Sequence, residues 1–127
     1  MKLRIKGNSL RLRVSRSEVA RILRRERVEE TIHFASHPHA KFTYALEQAQ
    51  SVSSPTVRYA EGEVTVLVPS VLADTWCNTD LVGIAESVSL GSFGSLALLI
   101  EKDFACLDLS DKENQDTFAN PHAGAVC

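Results

Sequence analysis

The chain has 127 residues, with 14 Lys+Arg against 16 Asp+Glu, a formal net charge of −2, and 44% hydrophobic residues. That balance is ordinary for a globular domain and excludes disordered, collagenous and low-complexity chains. A chain of this length is expected to form one domain, since domains cluster near ~100–150 residues, and to bury a core without a disulfide or metal.

Met1, Leu3 and Ile5 alternate with Lys2, Arg4 and Lys6, and Leu10, Leu12 and Val14 alternate with Ser9, Arg11 and Arg13. This period of two on both sides of Gly7-Asn8 predicts a β-hairpin. Its register places Ile5 opposite Leu10, Leu3 opposite Leu12, and Arg4 opposite Arg11. Ser15 and Glu18 have the spacing of a helix capping box, so a helix is expected from Ser15 to about Glu26. Val28 to Phe34 reads as a strand and Ser36 to His39 as a loop around Pro38. Phe42, Tyr44 and Leu46 give another strand. Val57 to Val68 reads as a second hairpin turning at Glu61-Gly62, and Pro69-Ser70 starts a helix with Val71, Leu72, Thr75 and Trp76 as its apolar residues. Val82 to Leu90 and Leu96 to Phe104 form a third hairpin. The unbroken apolar run Leu96 to Ile100 is expected of a central strand covered on both faces. No internal repeat is visible. The sum is α+β: a mostly antiparallel sheet built from hairpins, two short helices packed on it, and an extended C-terminal tail. Residues 1–107 form the single domain and 108–127 the acidic tail. That tail has few apolar residues, chiefly Phe118 and Val126, so truncation after Asp116 is expected to leave the fold intact.

Charge is unevenly spread. Residues 1–27 carry ten basic and two acidic side chains, net +8, and the remaining hundred residues carry −10. Such a split implies an electropositive surface, an internal match between the two parts, or both. The pI of about 6.1 argues against general nucleic-acid binding, for which a domain pI above ~9 is usual. No apolar run approaches the ~20 residues of a membrane span, so no membrane association is expected. Cys77, Cys106 and Cys127 are widely spaced with no CxxC, which points to a reducing compartment and a cytoplasmic protein.

Arg4-Ile5-Lys6-Gly7-Asn8-Ser9-Leu10-Arg11, Ser17-Glu18-Val19, Val28-Glu29-Glu30-Thr31, Phe42-Thr43-Tyr44-Ala45-Leu46, Glu101-Lys102-Asp103-Phe104-Ala105-Cys106-Leu107 and the Asn120-Pro121 tail carry a resemblance. The chain resembles a family of small bacterial proteins of unknown function. The resemblance covers nearly the whole chain and implies a single domain. It implies no activity.

Candidate sites follow from the residues themselves. On the polar face of the first hairpin, Lys2, Arg4, Arg11 and Arg13 bring like charges opposite one another, which costs up to ~1 kcal/mol per pair unless compensated. Acidic side chains of a neighbouring strand are the simpler compensation. An anionic small molecule or an acidic protein surface, held by several guanidinium forks, is the functional one. His33, His37 and His39 fall within seven residues but lack the Cys or carboxylate spacing of a standard metal site, so a solvated loop is the simpler reading. Glu86 lies among apolar neighbours, and an arginine of the basic hairpin is its expected partner. Glu101 and Asp103 share a strand face and form a possible carboxylate pair. No P-loop, GxGxxG or HExxH is present, and nothing calls for a cofactor. The sequence therefore favours a non-enzymatic binding module. The alternative is a metal- or thiol-dependent protein using Cys106, His122 and Cys127. Against it, Cys127 is expected to be exposed and reactive and Cys106 a buried small hydrophobe. Opposite charges segregated along the chain also suggest a homodimer.

Overall fold

The structure is a computed structural model that describes residues 1–104 and 116–119. Its elements are β1 (Lys2–Ile5), β2 (Ser9–Val14), α1 (Arg16–Leu23), β3 (Val28–His33), β4 (Lys41–Ala49), β5 (Thr56–Ala60), β6 (Glu63–Pro69), α2 (Ser70–Asn78), β7 (Gly83–Ser89) and β8 (Ser95–Lys102). The first hairpin forms in the expected register, Leu3 opposite Leu12 and Arg4 opposite Arg11, with Gly7 supplying the positive φ of its turn. The capping box is present too. The Ser15 hydroxyl accepts from the Glu18 amide, and the Glu18 carboxylate accepts from the Ser15 amide at 3.0 Å.

The strands form two sheets rather than one. Sheet A has the order β1-β2-β8-β7 and sheet B the order β3-β4-β6-β5. Their outer pairs are antiparallel, but the central pairs β2–β8 and β4–β6 are parallel. Parallel partners must come from distant chain segments, so no local turn signal announces them.

The two sheets repeat one another. Each half of the chain is a hairpin, a helix and a second hairpin, and each sheet takes one hairpin from each half. Adding 54 to the numbers of β1, β2 and α1 gives β5, β6 and α2, and subtracting 54 turns β8 into β4. The pair Arg4–Arg11 thus becomes Arg58–Thr65, and Ser9–Ala97 becomes Glu63–Thr43. Strands β3 and β7 correspond with a shift of 56, so that Val28–Leu46 becomes Ile84–Ile100.

Buried positions obey the same correspondence. Leu12 and Val66, Val14 and Val68, Val28 and Ile84, and Leu46 and Ile100 are equivalent core residues. The helices contribute Val19 with Ile22 and, at the equivalent places, Ala73 with Trp76. The larger Trp76 is accompanied by the smaller Ala73, which keeps the filled volume in balance. Of the residues read as the apolar ones of α2, Trp76 is buried but Val71 is 81% exposed, because the buried side of the helix runs through Ala73 and Trp76.

After β8 the chain continues beside β2, with the Asp103 amide donating to the Val14 carbonyl. Phe118 returns to this place. It pairs with Phe104, packs its ring edge-on to that ring, and lies under the Lys102 ammonium at 5.6 Å. Phe118 is thus part of the packed domain, against the expectation that the chain beyond Asp116 is dispensable. Its ring is half-buried, so Phe118→Ala is expected to lower folding stability by about 1–3 kcal/mol. Urea unfolding of the variant decides it, and an unchanged midpoint would return the tail to a dispensable role.

Candidate binding face

Alternation in β2 and β8 turns Leu10, Leu12, Leu98 and Ile100 inward and leaves Ser9, Arg11, Arg13, Ala97, Leu99 and Glu101 on the outer side of sheet A. β1 adds Lys2 and Arg4 to that side, and β7 adds Gly83, Ala85 and Ser87. The four predicted cations are therefore brought together on one sheet face. The expectation that Leu96 to Ile100 is covered on both faces is not met. Leu98 and Ile100 are buried, but Ala97 is exposed, and no described element packs over it.

Among the described residues, two carboxylates answer the four cations. Glu101 takes both Arg11, through Nε at 2.6 Å, and Arg13, through Nε at 3.0 Å. Lys2 reaches Asp103 at 3.1 Å. Glu101 and Asp103 are thus counter-ions of the basic hairpin. Arg4 has no ion pair among the described residues, and neither has Lys6 beside it. Glu86 was expected to pair with one of these arginines and does not. It lies in the row Leu10–Leu98–Glu86, whose side chains turn inward, while Arg11 and Arg13 point out from the opposite face.

Much of the remaining positive charge is also matched internally. Arg25 meets Asp74 at 3.2 Å, and Arg24 meets Glu26 at 2.7 Å. Arg27 lies across the outer face of sheet B, where it donates to Glu29 at 3.2 Å, Glu47 at 3.1 Å and the Thr65 hydroxyl at 3.2 Å, and also reaches Glu63. Arg58 also approaches Glu47, at 3.6 Å. Burial lowers the Arg27 pKa, but hydrogen bonds to Glu47, Glu29 and Glu63 outweigh it and hold the guanidinium above its ordinary value. Sequence reasoning gave Arg27 no separate role. Its position just before a strand said nothing of the three carboxylates that β3, β4 and β6 assemble around it.

The start of α1 holds a second charged group. The Met1 ammonium donates to Glu18 at 2.7 Å and lies 3.5 Å from Glu30. Asp116 accepts from the Ser17 amide at 3.1 Å and from its hydroxyl. These contacts close the helix N-terminus with protein groups. Burial raises the Glu18 pKa, but hydrogen bonds from the Met1 ammonium and Ser15 bring it below its ordinary 4.5. A carboxylate depressed in the folded state stabilises above its unfolded pKa and loses that contribution as pH falls through the folded one. Glu18→Gln is therefore expected to be less stable than wild type at pH 7, with the gap closing below about pH 4.5. Parallel urea curves for the two proteins across that range would show instead that Glu18 acts only through packing.

Tyr44 carries its hydroxyl between Glu30 at 2.8 Å and the Met1 carbonyl at 3.2 Å, and burial together with Glu30 pushes its pKa up to about 12. Cys77 is half-buried, and burial with the nearby Asp74 raises its thiol pKa. No group of three or more metal-ligating side chains occurs among the described residues, so His33, His37 and His39 are not gathered into a site. Cys106, His122 and Cys127, the set proposed for a thiol or metal centre, lie outside the described residues. No helix among the described residues is long and apolar enough to cross a membrane.

Comparison with known proteins agrees with the single, chain-wide resemblance. The profile of a family of unknown function, DUF7009, matches residues 1–122. The chain belongs to that family. No curated protein and no solved structure matches it. Membership in DUF7009 brings no activity with it.

Proposed function

We propose that this protein is a non-enzymatic binding module whose outer face of sheet A recognises an anionic ligand or the acidic surface of a partner. The observation that carries this reading is the surplus of cations: Lys2, Arg4, Arg11 and Arg13 share one open face and, among the described residues, only Glu101 and Asp103 answer them. A hollow of about 250 Å³ lies among those four cations over the backbone of Leu3. Guanidinium forks lining one hollow suit an anion that accepts several hydrogen bonds at once.

Internal pairing divides the roles of the arginines. Arg11 and Arg13 are oriented by Glu101, whereas Arg4 faces Arg11 without a counter-ion among the described residues. Arg4→Gln is expected to leave the free protein unchanged or raise its stability by up to about 0.5 kcal/mol, since it relieves a like-charge pair. Arg11→Gln is expected to cost up to about 1 kcal/mol, as it removes one partner of Glu101.

Thermal unfolding with inorganic phosphate, against chloride at equal ionic strength, tests the reading. A ligand of the native state raises the apparent Tm. The expected result is a phosphate-dependent rise in wild type that is lost in the Arg4→Gln/Arg11→Gln variant. Equal shifts in both proteins would overturn the assignment to this face.

A further inference from the structure

The internal repeat gives the outer face of sheet A a built-in comparison. On sheet B the equivalent rows are Arg58–Thr65–Ala45–Glu29 and Ala60–Glu63–Thr43–Thr31. That surface is filled. The Arg27 side chain spans it from Glu29 to Glu63, the Thr31 and Thr43 hydroxyls bond at 2.8 Å, and Ala45 and Thr65 are 0% and 1% exposed.

On sheet A the corresponding rows are Arg4–Arg11–Leu99–Ala85 and Ser9–Ala97–Ser87. The residue equivalent to Arg27 is Gly83, which has no side chain to lay across them. Glu29 and Glu63 are replaced by Ala85 and Ser9. Between the rows, Leu10, Leu98 and Glu86 turn inward and leave their backbone as a floor. The result is a shallow trough of about 540 Å³ whose outward-facing lining is Ser9, Arg11, Ala85, Ser87, Ala97 and Leu99, with Leu10, Leu98 and Glu86 also bordering it. It shares Arg11 with the cationic hollow, and Lys6, hydrogen-bonded through its backbone to Ser9, stands at the same end.

We infer that this trough binds an organic anion with a flat apolar body, its anionic group at Arg4 and Arg11 and its body over Ala97, Leu99 and Ala85. The inference rests on the cationic-face reading and adds the ligand class. Two features of the trough require both parts of such a ligand. The exposed Ala85 and Ala97 and the half-buried Leu99 gain from covering by an apolar group, and Arg4, without a counter-ion among the described residues, gains from an anion. Inorganic phosphate meets the second requirement alone. The small side chains of Ala85, Ser87 and Ala97 set a flat body rather than a branched one.

Calorimetric titration with naphthalene-1-sulfonate, methanesulfonate and inorganic phosphate tests this, using wild type and Ala97→Trp. Ala97 is exposed, so the indole has room to lie over the floor, and Ser87→Tyr serves as a second filling variant should the first fold poorly. Naphthalene-1-sulfonate is expected to bind wild type at least about tenfold more tightly than methanesulfonate, because its ring covers the floor. The preference should vanish in the filled variants while their response to phosphate remains. If both sulfonates bind alike, the apolar floor plays no part and this inference fails, leaving the cationic face intact. If naphthalene-1-sulfonate binds the filled variants as well as wild type, the trough is not its site and the inference is overturned. If none of the three anions binds, the cationic-face reading fails for small ligands, and this inference with it.

Discussion

Replacing Trp76 by alanine is expected to cost about 3–5 kcal/mol of folding stability, the largest effect of any single change considered for this chain. Trp76 is 1% exposed and is the largest fully buried side chain. Its indole N–H donates to the Val82 carbonyl at 3.1 Å, which ties α2 to the approach to β7. Truncation removes apolar area and leaves a cavity beside Ala73, whose small side chain cannot fill it. It also leaves the Val82 carbonyl without that donor. Val71→Ala, on the exposed side of the same helix, is expected to stay within about 0.5 kcal/mol. Urea unfolding of both variants checks the pair, and a loss at Trp76 no larger than that at Val71 would contradict the assigned core.

The second large effect is expected at Arg27. Arg27→Leu leaves Glu29, Glu47 and Glu63 together on one sheet face, with Arg58 their remaining cation nearby. Removing one partner of a fully buried ion pair costs several kcal/mol, but these groups are partly solvated, so about 1–3 kcal/mol is expected here. The sign of the pH dependence follows from the crowding. Neighbouring like charges raise the carboxylate pKa values in the variant, so its deficit should shrink as pH falls and these groups take up protons. Adding Glu63→Gln should recover part of the loss at pH 7. A deficit independent of pH would show that Arg27 acts through its aliphatic stem alone.

These two residues also mark what the sequence could and could not disclose. The first hairpin and its register were legible because the period of two and the Gly7-Asn8 turn agree. The capping box at Ser15 and Glu18 was legible because its chemistry is local. The pairing of β2 with β8 was not, since nothing near Leu10 refers to a segment some ninety residues away. The repeat was hidden for a related reason. Within the equivalent elements the same residue recurs only at Arg4 and Arg58, Val14 and Val68, Glu30 and Glu86, and Glu47 and Glu101. A core requires matching volume and polarity, which Ile22 and Trp76 meet without matching identity.

For the candidate face, the four cations were readable from alternation, but their answering groups were not. Glu86 looked like the partner because it is acidic and lies among apolar residues, yet strand alternation puts it on the wrong side of the sheet. Glu101 carries the role because the parallel register sets it directly beside Arg13. The open floor beside Arg11 was hidden too, since the run Leu96 to Ile100 reads as covered on both sides until β7 is seen to bring only the small residues Gly83, Ala85, Ser87 and Ser89 to the outer one.

Two equivalent sheet faces thus have opposite states, sheet B closed by Arg27 and sheet A open and cationic, and anion binding at sheet A is the proposal to test. Amide chemical-shift mapping during titration with inorganic phosphate tests it most directly. The predicted result is a saturable set of shifts at Lys2, Arg4, Arg11 and Arg13, with Glu29, Thr43, Glu63 and Thr65 unmoved. Shifts centred on sheet B or on the start of α1, or none up to millimolar phosphate, would contradict it.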